Sequence, residues 1–102
     1  MARFDVYRLG TSKVPLVVDV QANLLDDLAS RVVIPLRPSG DAATEAISRL
    51  TPQIEVEGEA YVLMTADIAA LPVIRLGEKV TNLGERSGDE ISAALDFLFS
   101  GF

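Results

Sequence analysis

The sequence predicts a mostly β domain closed by one C-terminal helix, and three stretches carry that prediction. The segment IEVEGEAYVLM alternates apolar and polar residues on either side of Glu57-Gly58-Glu59, where Gly58 can supply the positive φ of a tight hairpin turn. The run LVVDVQ is apolar on both faces up to Asp19, which suits a central strand. Near the C-terminus, Ile91, Ala94, Leu95, Leu98 and Phe99 recur at i, i+3, i+4, i+7 and i+8, the spacing of one buried helical stripe. The length of 102 residues fits a single domain spanning 1–102.

The elements follow in order. FDVYRL has the β-branched and aromatic content of a short strand, ended by Gly10 and Ser12. Pro15 opens the LVVDVQ strand. Leu24 and Leu25 then form an apolar pair inside the polar loop QANLLDD, where they either tuck under the sheet or stand exposed. In RVVIPL, Pro35 denies the ladder a donor and predicts an edge position or a strand end. Ala43, Ala46, Ile47 and Leu50 in SGDAATEAISRL predict a short helix or helical turn. After the hairpin, ADIAALP reads as a compact turn closed by Pro72, and VIRLGEKVTNL as a strand interrupted by Gly77. Ser87-Gly88-Asp89-Glu90 has the S-x-x-E form of a capping box and predicts a helix from about Gly88 to Phe99. Phe97 and Phe102 fall off the stripe and predict an exposed apolar terminus, with Phe97 able to reach a dimer seam.

Composition excludes several function classes. The chain has no Cys and no His, which rules out disulfides, Cys/His zinc sites, Cys nucleophiles and His-based triads. A net charge of -6 opposes phosphate backbones at long range, so nucleic acid is not expected as a direct ligand. The charge is uneven: residues 1–37 carry five basic and four acidic groups, whereas 38–102 carry four and eleven. No 18-residue apolar run exists and the start MARFDVYRLG lacks the apolar stretch of a signal peptide, so a soluble cytoplasmic protein without membrane contact is expected. With 49% apolar residues in so small a domain, which hides about 60 to 70% of its unfolded surface, apolar area is left for a partner or a second copy to cover.

The remaining chemistry is sparse. Glu55, Glu57 and Glu59 would share a strand face, a pattern that fits a solvated face better than an acid–base pair. Asp26-Asp27 and Asp89-Glu90 lack calcium-loop spacing, and the scattered glycines lack G-x-G-x-x-G or P-loop spacing. The arginines at 3, 8, 31, 49, 75 and 86 do not cluster, which leaves single ion pairs as their use. No catalytic residue, metal or cofactor is expected. The residues themselves lead to a protein-binding module.

The order of motifs goes further. From FDVY through VDVQ, RVVIPL, LMTADIAALP and the closing LDFLFSGF, the chain resembles the CcdB family, the toxin half of a bacterial toxin–antitoxin pair, over nearly its whole length. The resemblance implies a homodimer built on an SH3-like, mainly antiparallel β-barrel of the CcdB/MazF/Kid kind with a C-terminal α-helix, a fold shared with ribonuclease toxins. It implies a non-enzymatic poison that binds the DNA gyrase A subunit and traps its complex with cleaved DNA. It also implies a cognate CcdA-type antitoxin, with operator DNA bound only through the antitoxin complex.

In the family, gyrase contact is attributed to a terminal Trp-Gly-Ile tail, nearby helix positions and an apolar loop pair. Carried over, these are Leu24 and Leu25 in the loop, Asp96 and Phe99 on the helix, and Ser100, Gly101 and Phe102 in the tail. Gly101 matches and Phe102 keeps an apolar terminus. Ser100 stands in place of the large aromatic, and Asp96 adds a charge. These departures keep two alternatives open: a homologue that dimerises and binds antitoxin but has lost or changed its target, and a ribonuclease toxin on the same fold.

Overall fold

Strands form where the sequence alternates or runs apolar, and they pair into one curled antiparallel sheet. The computed structural model describes residues 1–10, 14–25, 27–40 and 49–101. Its strands are β1 (Asp5–Arg8), β2 (Leu16–Asp19), β3 (Ser30–Pro38), β4 (Gln53–Val56), β5 (Glu59–Leu63), β6 (Ala69–Pro72) and β7 (Lys79–Asn82), followed by the helix α1 (Gly84–Ser100). The strand order is β4-β5-β3-β2-β1-β7, with β6 also paired to β3. β3 divides its outer edge: Ser30 to Val33 face β6, and Leu36 to Pro38 face β5. That split curls the sheet into a half-barrel.

β2 is the central strand expected from LVVDVQ, buried at all four residues between β1 and β3. The hairpin is also as expected. Val56 pairs with Glu59, and both turn residues, Glu57 at φ 52° and Gly58 at φ 82°, are left-handed, as a type I′ turn requires.

The sheet buries residues on both faces. Val6, Leu16, Val18, Ile34, Leu36, Ile54, Val56 and Leu63 meet Leu83, Ile91 and Ala94 in the main core beneath α1. Tyr7, Val17 and Val33 face the other way, under Leu9, Val14, Leu71 and Leu76. Each of the first three strands therefore alternates between two buried sides.

Four expectations need correction. Pro35 lies in the middle of a nine-residue strand, not at an edge or an end. Its carbonyl accepts the Met64 amide at 2.9 Å, so its backbone polar edge faces the seam where β5 ends and β6 has yet to begin, and the missing donor leaves no ladder bond unmade. The predicted ADIAALP turn is a 3₁₀ turn at Thr65–Asp67 followed by β6, whose residues lack strand propensity and pair only because β3 offers an open edge. The first part of VIRLGEKVTNL is a second 3₁₀ turn, Val73–Arg75, and only Lys79–Asn82 is strand. Gly77 is needed between them, because a Cβ there would sit 2.7 Å from the Arg8 carbonyl oxygen.

The fourth correction is the helix start. α1 begins at Gly84, one turn before the supposed capping box, and the Ser87 amide already donates to the Leu83 carbonyl at 2.9 Å. Asn82 Oδ1 accepts the Gly84 amide at 2.8 Å instead. Gly88 is small because the Phe4 ring packs there: a Cβ on it would lie 3.3 Å from Phe4 Cε2. The helix predicted around Ala43, Ala46 and Ile47 lies outside the described residues; Leu50 is in a turn.

Candidate functional site

Leu24 and Leu25 sit on a one-turn 3₁₀ helix, Asn23–Leu25, in the connection between β2 and β3. They do not tuck under the sheet. Leu24 is 98% exposed and Leu25 is 48% exposed. The turn is nevertheless well tied. The Gln21 side chain donates to the Leu25 carbonyl at 2.9 Å and accepts the Val32 amide at 3.0 Å, while Asn23 Oδ1 accepts the Arg3 amide at 2.7 Å.

The other predicted residues gather on the last turn of α1. Asp96, Phe99 and Ser100 are exposed, Phe99 to 72%. The main core reaches along the helix only to Leu95, which is why Phe99 leaves the stripe that its spacing predicted. Phe97, expected to be free, is half-buried, with the Arg49 guanidinium 4.7 Å from its ring centroid. Gly101 ends the helix at φ 79° and donates its amide to the Phe97 carbonyl at 2.9 Å, so it is a left-handed helix cap as well as a tail residue. Phe102 lies outside the described residues.

Among the described residues no hydrogen bond or ion pair joins the Leu24–Leu25 turn to the end of α1. Sequence reasoning missed two neighbours of the loop pair. Leu28 is exposed, and so is Ile74 at 91%; the Val73 amide donates to the Ala29 carbonyl at 2.8 Å, which brings their segments side by side. Pro72 ahead of VIR was the available signal that this stretch turns rather than continuing as a strand.

The glutamates do not share one strand face. Glu55 is on β4, Glu57 in the turn and Glu59 on β5, and they meet different partners. Glu55 faces Arg86 at 3.5 Å and Glu57 faces Arg8 at 3.7 Å, while Glu59 accepts the Tyr61 hydroxyl at 3.4 Å. Arg8 also reaches Glu78 at 3.4 Å. Exposed pairs of this kind contribute little to stability.

One ion pair is closed to water. The Arg31 guanidinium meets Asp19 Oδ2 through Nε at 2.8 Å and through its terminal nitrogen at 2.7 Å, with both side chains 0% exposed. Beside it on the same face, the Tyr7 hydroxyl donates to Asp5 Oδ2 at 3.0 Å. Burial, then the hydrogen bond to Asp5 and the charges of Asp5 and Asp19, push the Tyr7 phenol well above its usual value, with Arg31 opposing. Burial also works to raise the Asp5 carboxyl. Hydrogen bonds from Asn82, the Ala2 amide, Tyr7 and Lys79 outweigh it and hold Asp5 below the usual carboxylate value.

A cleft of about 220 Å³ between the residues before β4 and α1 is lined by Arg49, Pro52, Glu90 and Ala93. It is smaller than the ~300 to 1,000 Å³ common for small-molecule sites. The described residues contain no group of three or more acidic side chains placed to hold a metal ion, and no helix among them is long and apolar enough to cross a membrane.

A curled antiparallel half-barrel with one C-terminal helix also occurs in the solved structure of an endoribonuclease in complex with its cognate antitoxin from Mycobacterial species. The TM-score is 0.75 over 94% of this chain and 91% of that one, at 17% identity, a likeness of fold. The family is defined by sequence: the model of the CcdB protein family matches residues 3–101, and the chain belongs to that family.

Proposed function

We propose that residues 1–102 act as one cytoplasmic toxin domain, a homodimer that binds the DNA gyrase A subunit, traps its complex with cleaved DNA and is neutralised by a CcdA-type antitoxin. In this reading the protein performs no catalysis, and it reaches operator DNA only through the antitoxin complex. The observation that carries it is the exposure of Phe99 and Leu24, two of the large apolar side chains that the fold leaves open to solvent, at the positions to which the family resemblance assigns gyrase contact. Side chains that protrude in this way are covered by a protein surface rather than by a small ligand. Asp96, Ser100, Gly101, Leu25 and Phe102 complete the two contact groups.

Ser100 favours a second reading, in which the chain dimerises and binds antitoxin but has lost or exchanged its target. The end of α1 lacks the two-ring side chain that would anchor a deep pocket. Calorimetric titration of the gyrase A subunit, with a cleavage-complex assay beside it, separates the two. Saturable binding and accumulation of cleaved DNA are expected, and sedimentation at micromolar concentration should give twice the chain mass. An absence of gyrase binding with antitoxin binding retained would establish the second reading, and RNA cleavage by the pure protein would overturn both.

A further inference from the structure

The loop between β2 and β3 combines two features that folding alone does not account for. Leu24 gives almost all of its side chain to water, which contributes nothing to stability. Yet the turn that carries it is fixed by a chain of bonds that starts in the interior. Arg31, fully buried on β3, holds Asp19 at the end of β2. Asp19 Oδ1 accepts the Gln21 amide at 3.0 Å. The Gln21 side chain then spans the loop, accepting from the Val32 amide at 3.0 Å and donating to the Leu25 carbonyl at 2.9 Å. Within the turn, the Leu25 amide donates to the Ala22 carbonyl at 3.0 Å and the Leu28 amide to the Leu25 carbonyl at 3.3 Å.

A buried ion pair gives little net stability once its desolvation is counted, and its best attested use is to specify geometry. Here the geometry it specifies is that of an exposed apolar knuckle. We propose that Gln21 is a positioning residue: anchored through Asp19 to Arg31, it holds the 3₁₀ turn so that Leu24 and Leu25 meet an apolar pocket of a protein partner already in their bound arrangement. Ordering the loop before encounter removes that entropy from the binding step, so the effect appears as affinity rather than as folding stability. The identity of the partner rests on the gyrase reading above; the positioning role does not.

Two variants test it. Gln21→Ala removes both side-chain bonds, and Gln21→Glu keeps an acceptor for the Val32 amide while removing the donor to Leu25. The second carries the test where the first does not fold. In the free protein, amide exchange at Leu25 and Leu28 should accelerate about tenfold in both variants, with exchange at Val18 and Ile34 unchanged; unaltered exchange at Leu25 and Leu28 would overturn the proposal. Against the gyrase A subunit, Leu24→Ala should reduce affinity at least threefold less in the Gln21→Glu background than in the parent chain. A merely structural Gln21 gives additive losses, and additivity would overturn the role. Failure of the parent chain to bind gyrase would sink the partner reading and leave the exchange result to decide the positioning role.

Discussion

The Tyr7 hydroxyl donates to Asp5 Oδ2 at 3.0 Å on the side of the sheet turned away from α1, and the two groups carry opposite pH dependences. The Asp5 carboxyl is held below its ordinary value, so the stability it contributes is complete above the ~3.9 of a free aspartate and is lost as pH falls below that. The Tyr7 phenol is pushed above its ordinary value. Its contribution is therefore complete below the ~10 of a free tyrosine and is lost as pH rises past it. Urea midpoints measured across pH should fall at both ends, with Asp5→Asn flattening the acid limb and Tyr7→Phe the alkaline one. Tyr7→Phe should also lower stability at neutral pH by about 1 kcal/mol, the usual net value of one hydrogen bond. An alkaline limb that survives Tyr7→Phe would mean that another group governs it.

The Asp19–Arg31 pair predicts an asymmetry between single and double substitutions. Asp19→Ala leaves the Arg31 guanidinium in the interior without its carboxylate and should cost about 3 to 5 kcal/mol. Replacing both, as Asp19→Leu with Arg31→Met, removes both charges and should recover at least half of that loss. Denaturant unfolding of the three proteins measures it. A double variant no more stable than Asp19→Ala would show that the pair supports the fold through more than its own charge balance.

The helix start gives a paired prediction that separates a sequence motif from a structural cap. Asn82 accepts the Gly84 amide and donates to Asp5 Oδ1 at 2.9 Å and to the Arg3 carbonyl at 3.0 Å. Asn82→Ala should lower stability by about 0.5 to 2 kcal/mol, the range of a lost cap. Ser87→Ala should change it by less than about 0.5 kcal/mol, because Ser87 lies inside the helix and its backbone is already bonded. The reverse ranking would place the true start at Ser87.

What could be read in advance follows the range of the interactions involved. The β4–β5 hairpin was legible because Glu57-Gly58 and its alternating flanks specify the turn locally. β2 was legible because both of its faces are buried, and the stripe from Ile91 to Leu95 because one face is. Pro35 misled because its tolerance depends on two strands far along the chain sharing one edge of β3. Ser87-Gly88 misled because the small size of Gly88 answers to the Phe4 ring, which arrives from the other end of the sequence. The loop pair and the helix end were carried over from the family resemblance, and periodicity left the exposure of Leu24 and Leu25 open. The exposure of Phe99 was not legible, since it obeys the stripe spacing and leaves it only where the core beneath the helix ends.

Gly101 links the tail to the helix. At φ 79° an L side chain is strained, so Gly101→Ala should cost about 1 kcal/mol and fray the last turn, whereas Gly101→Asn, which tolerates the left-handed region better, should lose less. An arginine placed there to block binding would therefore disturb the helix end as well. Melting temperatures and the helical circular dichroism of the variants check this. Equal stability of Ala, Asn and Gly at 101 would show that the cap does not constrain the terminus.

Ser100 offers the most direct test of target recognition. It is exposed at the last residue of α1, beside Phe99, beyond the reach of the main core. A side chain there can be enlarged without displacing anything buried, so folding should be unaffected. An aromatic anchor at the centre of an interface contributes about 2 kcal/mol or more, roughly thirtyfold in affinity. Ser100→Trp should therefore tighten binding to the gyrase A subunit by about that factor, with an unchanged melting temperature. Binding that is equal or weaker in the Trp variant would assign the anchor to Phe99, already 72% exposed in the parent chain, and make Ser100 a spacer between it and the glycine cap.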